Sequence, residues 1–376
     1  MSTAVTNYQC PSCTGPLHFS AATGKLECEY CESSFTPEEI EQLYSPKVEQ
    51  AEVNFTEKTE WTEDGLLQMV CPSCGAELIC GKNDASVGCP YCGNPSVVPG
   101  QFSGMQKPDL IIPFSKTKDE AIEALKKHYK GRFLLPRSFK NQHHIEEIQG
   151  VYVPFWFYDG EASADVLFKC TRSRTYRSGD YRVTETDHYD VFRAGRMQFS
   201  KVPVDASTRM PDGHMDAIEP YDYSEFKPFS TAYLPGFLAN RYDVTPDECK
   251  PRAQERCCES VVNALRGTVN GYSGCTVGNK TTQMSFSKVE HGLLPVWMLY
   301  TKWKDKNYLF AMNGQTGKVV GDRVEMGGLL GSAPVMPVAA DCSIRKLMFS
   351  SNFSSFPLPR PTERGGSRVR PPPSAA

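Results

Sequence analysis

The segment Cys10-Pro11-Ser12-Cys13 precedes Cys28-Glu29-Tyr30-Cys31 by a spacer of 14 residues, and the whole arrangement returns as Cys71-Pro72-Ser73-Cys74 and Cys89-Pro90-Tyr91-Cys92. Each cysteine of the second set lies 61 residues after its counterpart in the first set. An identical spacer and a common offset indicate that one module was duplicated within the chain. The sequence therefore predicts two small cysteine-centred modules before residue 100.

Two cysteines separated by two residues present their thiolates from one tight turn, which we call a knuckle. Two knuckles on adjacent hairpins complete the tetrahedral sulfur shell that zinc prefers. The predicted ligands are Cys10, Cys13, Cys28 and Cys31 in zinc ribbon 1 and Cys71, Cys74, Cys89 and Cys92 in zinc ribbon 2. Because four cysteines leave no open coordination position, both Zn2+ ions are expected to be structural. Iron in a rubredoxin-like site is the alternative, since such knuckles also hold iron.

The remaining cysteines are scattered along the chain, and the total of 15 is odd. Such a set is not typical of a disulfide framework; it indicates a reducing compartment with metal-binding pairs. Residues 1–9 lack the apolar core of a secretory signal. The least polar run near the carboxyl end, residues 327–340, is shorter than the roughly 20 apolar residues that a membrane-spanning helix needs. We therefore expect a cytoplasmic location and no transmembrane segment.

Hydrophobic periodicity predicts an α+β fold in which two small four-cysteine zinc ribbons precede a strand-rich domain. The predicted division is zinc ribbon 1 at residues 8–35, a connecting segment at 36–68, zinc ribbon 2 at 69–97, a linker at 98–108, an α+β domain at 109–325 and a disordered tail at 326–376. The tail is rich in proline, serine and arginine and has no sustained periodicity, which favours disorder.

Helix and strand signals place the main elements of this division. Helices are expected after the capping residues Thr36 and Thr245 and over residues 118–129. The helix after Thr245 has an apolar stripe of Ala253, Cys257, Val261 and Leu265. Strands are predicted at 53–56, 66–70, 110–114 and 151–158, with an interruption or a bulge near Pro154. A long hairpin or a meander is predicted over 161–202. Strands return over 270–320, where Asn313-Gly314 is predicted as a two-residue hairpin turn.

Charge is distributed unevenly along the chain. Residues 1–100 contain four lysines, no arginine and fourteen acidic residues, a formal charge of −10, whereas the other residues sum to +7. A four-thiolate zinc site is itself negative, so phosphate binding by the ribbons is disfavoured. Four arginines could face nucleic acid, but acidic residues lie among them, and cross-strand charge pairs on an exposed hairpin are the favoured interpretation. These arginines are Arg172, Arg174, Arg177 and Arg182.

The sequence contains no recognisable catalytic constellation. The stretch Gly274–Thr281 approaches a nucleotide-binding loop, but Asn279 separates the second glycine from the lysine, so a strand and a turn are predicted instead. The pair His143-His144 lacks a further ligand at suitable spacing, and Cys257-Cys258 falls on a helix stripe, where core packing is the favoured interpretation. The chain is therefore predicted to be non-enzymatic.

Several blocks outside the cysteine pairs are distinctive. They are Gly150–Tyr158 (GVYVPFWFY), Ala232–Phe237 (AYLPGF), Tyr242–Val244 (YDV), Leu294–Met298 (LPVWM) and Phe310–Asp322 (FAMNGQTGKVVGD). Together with the duplicated cysteine sets, over about residues 8–322, they resemble the bacterial TFIIB-type zinc-ribbon-containing proteins of Gram-positive genomes. Such proteins are often labelled primosomal-helicase-like on the strength of the ribbons alone.

The resemblance implies a zinc-binding adaptor in envelope stress, at or near the inner face of the cytoplasmic membrane. The implied protein partners are membrane-scaffold proteins of the band-7 type and phage-shock-type proteins. Members of that family typically continue past the Phe310–Asp322 block with a hydrophobic membrane segment, whereas this chain continues with the proline- and arginine-rich tail. The abrupt change suggests a shifted reading frame after Asp322. A nucleic-acid-binding accessory protein of replication or transcription is the alternative function.

Overall fold

The computed structural model has an α+β fold that is rich in strands, as the sequence predicts. It describes residues 8–44, 66–71, 75–81, 89–91, 98–100, 106–130, 136, 139, 145–304, 306–322, 344–348 and 364–369. The chain divides into two compact units. Unit 1 consists of Met1–Phe157, Pro203–Cys249 and Val289–Asp341, and unit 2 consists of Tyr158–Val202, Lys250–Lys288 and Cys342–Ala376.

The elements are numbered along the chain. The strands are β1 (Leu17–Ser20), β2 (Lys25–Cys28), β3 (Ser34–Phe35), β4 (Leu66–Val70), β5 (Glu77–Gly81), β6 (Val98–Gly100), β7 (Leu110–Ile111), β8 (Gln149–Ser178), β9 (Tyr181–Asp205), β10 (Lys227–Pro228), β11 (Leu238–Asn240), β12 (Gly274–Trp303), β13 (Lys306–Asn313), β14 (Val319–Gly321), β15 (Ile344–Met348) and β16 (Arg364–Val369). The helices are α1 (Pro37–Tyr44), α2 (Lys118–Tyr129), α3 (Asp212–Ile218) and α4 (Pro246–Gly267). None of the helices in the described part of the chain has the length and apolar character required to cross a bilayer.

Unit 1 contains a small sheet and a larger mixed sheet. The small sheet has the strand order β1-β2-β3, and both of its pairs are antiparallel. In the larger sheet the order is β10-β7-β12-β8-β11-β5-β4-β6, while β13 pairs with β12 and β14 pairs with β13. Two of these pairs are parallel, namely β7 with β12 and β11 with β8. Strands that are distant in the sequence are thus brought side by side.

An aromatic cluster forms the centre of unit 1. The ring of Phe114 stacks on that of Phe237, with centroids 4.2 Å apart, and the Tyr152 and Trp297 rings meet Phe114 edge-on at 5.0 and 5.1 Å. Burial of each such side chain stabilises the fold by about 2–3 kcal/mol, and each ring pair adds about 1 kcal/mol. The indole N–H of Trp297 donates to the Lys116 carbonyl at 2.9 Å, so its polar atom is satisfied inside the core.

His291 is a buried histidine of unit 1. Its ring centroid lies 4.9 Å from that of Trp156 and 5.2 Å from that of Tyr242, and its backbone N–H donates to Asp109 Oδ2 at 2.8 Å. Burial lowers the pKa of His291 to about 4, although nearby backbone groups offset part of this effect. The imidazole is therefore neutral in the folded protein at physiological pH.

Unit 2 is formed by parts of β8, β9 and β12, most of α4, and the strands β15 and β16. The strands β8 and β9 pair with each other, and the turn that joins them contains Gly179, which has a φ of +60°. Alternate residues of β8 are buried, the spacing expected of a strand with one covered face; they are Ala162, Ala164, Val166, Phe168 and Cys170. The predicted stripe of α4 is confirmed as buried at Ala253, Cys257, Val261 and Leu265.

The predicted helix starts are confirmed, and their caps explain them. Thr36 Oγ1 accepts the Glu39 N–H at 3.2 Å while the Glu39 carboxylate accepts the Thr36 N–H at 2.8 Å. The same reciprocal pair joins Thr245 and Glu248 at the start of α4. Helix α2 spans the predicted residues and begins with a capping box at Thr117. A cap of this kind stabilises a helix by about 1 kcal/mol.

The prediction of a two-residue turn at Asn313-Gly314 is wrong. Strand β13 ends at Asn313 and β14 begins at Val319, so a longer loop joins them. The residue with left-handed backbone in this loop is Gly317, with a φ of +78°. Asn313 cannot lie at an exposed turn because its amide is buried and bonded to other segments of unit 1.

Of the interruption or bulge predicted near Pro154, the interruption is absent. Strand β8 runs without a break through this position, and the Pro154 carbonyl accepts the Ala206 N–H at 3.0 Å. The hairpin predicted over 161–202 is confirmed by β8 and β9, and the strand predicted at 66–70 is confirmed by β4. The strand predicted at 53–56 lies outside the described residues.

Two segments that composition assigns to irregular structure contain strands. In the predicted linker, β6 pairs with β4, with Val98 opposite Val70. In the stretch 326–376, predicted to be disordered, β15 and β16 both pair antiparallel with β9. Pairing of short edge segments depends on backbone hydrogen bonds, which every residue type except proline can donate. Composition therefore does not reveal these strands.

We predict that the stability of the chain falls as the pH is lowered from 6.5 towards 4. Burial lowers the pKa of His291 from 6.5 to about 4 in the folded state, so the unfolded chain takes up this proton first. The stability contributed by the neutral imidazole is fully present above pH 6.5 and decreases below it, by up to about 3 kcal/mol. Urea unfolding of the wild type and of His291→Phe over this pH range measures the effect.

The exposed His188 provides a matched control, because its replacement leaves the buried imidazole in place. The His291→Phe variant should lose part of the pH dependence, whereas His188→Phe should keep it. Identical pH profiles for the wild type and His291→Phe would contradict the assignment of His291 as a neutral buried group.

Candidate metal centre

Four cysteine thiols of unit 1 converge beside the small sheet. The Sγ atoms of Cys10, Cys13, Cys28 and Cys31 lie within 4.8 Å of one another, and two of the pairs approach to 3.4 Å. A tetrahedral zinc site with Zn–S bonds of about 2.3 Å has its sulfur atoms about 3.8 Å apart. The cluster thus has the size and the donor set of a four-thiolate site, and these residues could hold one metal ion.

The first knuckle has a backbone pattern that holds its thiols in place. The Cys10 N–H donates to the Gly15 carbonyl at 2.7 Å, and the Thr14 N–H donates to the Cys10 carbonyl at 2.8 Å. The turn closes because Thr14 adopts a left-handed backbone with a φ of 61°. The Ser12 N–H points at Cys10 Sγ at 3.4 Å, a contact that stabilises thiolate charge.

The second knuckle repeats this pattern at Cys28. The Cys28 N–H donates to the Ser33 carbonyl at 3.0 Å, and the Glu32 N–H donates to the Cys28 carbonyl at 2.9 Å. Glu32 takes the left-handed backbone, with a φ of 57°. The two knuckles therefore have equivalent backbone geometry. Together they bring both pairs of thiols to one point, as a four-cysteine ribbon requires.

The thiols differ in exposure and in acidity. Cys13 and Cys31 are the exposed members of the cluster. The Ser33 side chain and backbone lower the pKa of Cys31 to about 6. The Gly15 backbone lowers the pKa of Cys13, but its thiol neighbours Cys31 and Cys28 outweigh this effect and raise the pKa to about 12. Since metal ligation requires thiolates, an ion that binds here must displace protons, and its affinity decreases in acid.

The second cysteine set begins with the same turn as the first. The Cys71 N–H donates to the Ala76 carbonyl at 2.8 Å, and the Gly75 N–H donates to the Cys71 carbonyl at 2.7 Å. Gly75 takes the left-handed backbone, with a φ of 69°. Each of these features lies 61 residues after its counterpart in the first knuckle. The sequence repeat is therefore also a repeat of backbone geometry at this knuckle.

Half of the ligands predicted for the second set are described. Cys71 and Cys89 are buried in one cluster with Ala76, as their counterparts in the first set are buried. Cys74 and Cys92 lie outside the described residues. Among the described residues, a complete four-thiol group is therefore established for the first set.

The first cysteine cluster is attached to the core of unit 1 through Phe19, which lies in β1. The buried Phe19 ring lies 5.3 Å from the Tyr233 ring and 6.4 Å from the Phe237 ring. The Phe19 N–H donates to the Pro235 carbonyl at 3.1 Å. Both the side chain and the backbone of β1 therefore fix the position of the cluster against the aromatic centre of unit 1.

The second set is attached to the same unit by a strand and by an arginine. Strand β5 pairs antiparallel with β11, with Ala239 opposite Ile79. Close to the knuckle, the Arg209 guanidinium donates to the Gly75 carbonyl at 3.0 Å. A hydrogen bond with a charged donor contributes about 1.5–3 kcal/mol. The knuckle is thereby held from outside its own module.

The fold accounts for several other positions that the sequence singles out. Gly274–Thr281 lies wholly within β12, so the strand predicted there is present and the turn is absent. Cys257 and Cys258 are buried in α4. Arg174 pairs with Glu185 at 2.5 Å, which confirms the predicted cross-strand pairing. His143 and His144 lie outside the described residues.

Asn313 lies in the Phe310–Asp322 block, and its side chain joins two separate segments of unit 1; we call this arrangement a lock. The Asn313 amide donates to the carbonyls of Ile218 and Pro220 at 3.0 and 3.3 Å. Its Oδ1 accepts the N–H groups of Gln315 and Thr316, each at 2.9 Å. One side chain thus satisfies four backbone groups of two separate segments.

Gln315 extends this lock to the segment around Asp222. Its Oε1 accepts the Asp222 N–H at 2.8 Å, and its Nε2 donates to the Asp222 carbonyl at 3.0 Å and to Glu225 Oε2 at 2.6 Å. The Gly314 carbonyl accepts the Lys116 N–H at 2.8 Å. The side chains of Asn313 and Gln315 and the Gly314 carbonyl therefore join separate segments of unit 1, which gives this block a structural role.

Two residues that position the cysteine sets were not predicted. Phe19 had a usable signal, because Leu17, His18 and Phe19 alternate apolar and polar as a half-buried strand does. Arg209 had none, because its partner Gly75 is 134 positions away in the chain and backbone carbonyls leave no trace in a sequence.

Comparison with known proteins finds one similar chain. The sequence is 37% identical over 317 residues to a protein of Bacillus subtilis (strain 168) named "Uncharacterized protein YdjG", and the alignment covers 84% of this chain and 89% of that protein. No protein-family model matches the sequence. No solved structure matches it either.

We predict that Cys13→Ser lowers the amount of bound metal by one ion per chain. The substitution removes one of the four thiolates, and a shell of three thiolates binds more weakly. Because Cys13 is exposed, the change should leave the apolar packing of β1 intact. Metal released by a mercurial reagent and counted with a chromogenic chelator measures the loss. Cys249→Ser, a buried thiol outside the cluster, is the control and should keep the wild-type metal content.

We also predict that Asn313→Ala lowers the free energy of unfolding by about 2–4 kcal/mol, because it leaves several buried backbone groups without a partner. The exposed Asn270 is the matched control, and Asn270→Ala should change stability by less than about 0.5 kcal/mol. Urea unfolding of the wild type and both variants measures these changes in the free energy of unfolding. Equal effects in the two variants would contradict the role of Asn313 as a lock.

Proposed function

The chain belongs to the same family as YdjG of Bacillus subtilis, and we propose that it is a non-enzymatic, zinc-binding adaptor that binds other proteins. The observation that carries the proposal is a complete four-thiol cluster, docked on the core of unit 1 through Phe19. A site of this kind stabilises a surface and leaves that surface free to bind partners.

We infer that each cysteine set binds one Zn2+ ion. The ligands are Cys10, Cys13, Cys28 and Cys31 for the first ion and Cys71, Cys74, Cys89 and Cys92 for the second. The sulfur spacing of the first cluster and the repeated turn at Cys71 support this inference. Since four thiolates complete a tetrahedral shell, the ions hold the knuckles together and take no water as a reactant.

Zinc ribbon 1 offers a surface suited to protein binding. Residues 8–44 contain six glutamates and one lysine, so this module is strongly acidic. Tyr30, within the second knuckle, is 76% exposed, and Leu43, near the end of α1, is 62% exposed. Tyrosine is enriched among the residues that dominate binding energy at interfaces. A partner with a basic surface would complement this module.

The resemblance to TFIIB-type zinc-ribbon-containing proteins indicates which partners to test. On this basis we propose that the chain binds membrane-scaffold proteins of the band-7 type or phage-shock-type proteins. The proposed location is the cytoplasm, near the inner face of the membrane, and the proposed process is envelope stress.

Nucleic-acid binding is the second candidate, and the contacts of its key arginines disfavour it. The Arg172 guanidinium lies 5.6 Å from the centroids of both the Tyr189 and Tyr272 rings and donates to the Gly271 carbonyl. Arg174 pairs with a neighbouring carboxylate of the hairpin. Phosphate contacts require basic groups that are free to approach a backbone, and these two exposed arginines already bond to other groups of unit 2.

We predict direct binding between the purified chain and a purified band-7-type scaffold protein of the same organism. The double variant Tyr30→Ala, Leu43→Ala should weaken that binding about tenfold or more, because the two side chains supply the exposed apolar contact. Isothermal titration calorimetry measures the affinity. Phe192→Ala, which removes a 60%-exposed aromatic ring from unit 2, is the matched control and should bind as the wild type does.

The nucleic-acid alternative makes the opposite prediction. Tight binding of duplex DNA that decreases with salt and with Arg172→Ala, together with no binding of scaffold or phage-shock-type proteins, would replace the adaptor role with an accessory role in replication or transcription.

A further inference from the structure

Two cysteines of unit 2 outside the predicted ribbons lie on neighbouring strands. Cys170 belongs to β8 and Cys275 belongs to β12. These strands are adjacent and hydrogen-bonded in the sheet. Cys170 is 1% exposed, whereas Cys275 is half-buried and accessible from outside.

The contacts on either side of the two cysteines fix the register of these strand segments. A Cβ atom placed on Gly274 would lie 3.0 Å from Thr171 Oγ1, and one placed on Gly278 would lie 2.8 Å from the Leu167 carbonyl. Gly274 is therefore opposite Thr171, and Gly278 is opposite Leu167, in one antiparallel register. In that register the residue opposite Cys170 is Cys275.

This arrangement satisfies the geometric requirement of a disulfide. Directly opposed residues of antiparallel strands have Cα atoms about 4.5–5.5 Å apart and side chains on the same face. Disulfides form between Cα atoms about 4.4–6.8 Å apart. Burial, the larger cause, and a hydrogen bond to the Cys275 thiol raise the pKa of Cys170 to about 12, which is consistent with two thiols in contact.

We propose that Cys170 and Cys275 form a reversible disulfide and are a redox-responsive modification site of unit 2. The oxidant is a small-molecule disulfide such as oxidised glutathione. Accessible Cys275 is the attacking thiol, and buried Cys170 is the resolving thiol. The pair is independent of the ribbon thiols, which lie in unit 1.

The reaction is two successive thiol–disulfide exchanges. In the first, Cys275 loses its proton and attacks one glutathione sulfur; a mixed disulfide forms and one glutathione thiolate leaves. In the second, Cys170 loses its proton and attacks Cys275 Sγ; the protein disulfide forms and the second glutathione thiolate leaves. Two protein thiols are oxidised, one glutathione disulfide is reduced to two thiols, and the two protons pass to the leaving thiolates.

The bond would tie β8 to β12 beside the end of α4. The Arg266 guanidinium, in the last turn of α4, donates to the Cys275 carbonyl at 3.1 Å. The closed loop would contain the tip of the β8–β9 hairpin and the part of α4 that belongs to unit 2. Because a long loop is closed, the unfolded chain is constrained, and the oxidised protein should melt at a higher temperature than the reduced protein.

The experiment uses the full, zinc-loaded chain equilibrated in buffers with an increasing ratio of oxidised to reduced glutathione. After alkylation and tryptic digestion, mass spectrometry should find the peptide Cys170–Arg172 linked to the peptide Gly267–Lys280. The linked species should increase with the oxidised fraction and disappear after reduction. Cys258→Ser replaces another cysteine of unit 2 and should leave the linked species unchanged.

Two variants separate the roles of the thiols. Cys170→Ser should accumulate glutathione on Cys275, because the resolving thiol is absent, and Cys275→Ser should leave Cys170 reduced. Circular dichroism checks that both variants fold. The proposal is overturned if wild-type Cys275 accumulates as a stable mixed disulfide with glutathione. It is also overturned if both thiols remain fully open to alkylation at the most oxidising ratio.

Discussion

The contact of Phe19 with Tyr233 and Phe237 joins a cysteine cluster to the core of unit 1. A module of fewer than about 40 residues buries too little apolar surface to fold alone, and such modules rely on metals or on docking. The first cysteine module is docked, and its residues could hold a metal ion. Its thiols converge at metal-binding distances, and its strand β1 packs on the aromatic centre of the larger sheet. The cluster is therefore part of a folded unit, and its exposed knuckle is presented in a fixed orientation.

The loop between β13 and β14 is likewise held by contacts with distant segments of unit 1. Asn313 and Gln315 use their amides to satisfy backbone groups of the segments around Ile218 and Asp222. Buried polar groups are costly unless they are paired, so a loop of this kind specifies one arrangement of neighbouring chain segments. A block that is distinctive in sequence thus has an architectural role. The side-chain amides of Asn313 and Gln315 bond to the protein itself.

The sequence predicted those parts of the fold that local rules decide. The knuckle at Cys10, the caps at Thr36 and Thr245 and the stripe of α4 depend on residues a few positions apart, and all are present. It did not predict the pairing of β5 with β11 or the contact of Arg209 with Gly75, because these depend on segments far apart in the chain. The prediction of a turn at Asn313-Gly314 is wrong because the dipeptide Asn-Gly looks the same in the sequence whether its asparagine lies in an exposed turn or is buried.

The central proposal for this protein is that its cysteine sets form closed, four-thiolate metal sites, the first of them in an acidic, docked module. Zinc K-edge X-ray absorption of the purified chain tests this most directly. We expect bound zinc with a shell of four sulfur atoms at about 2.3 Å and no lighter ligand. A shell that contains nitrogen or oxygen, or iron in place of zinc, would contradict it.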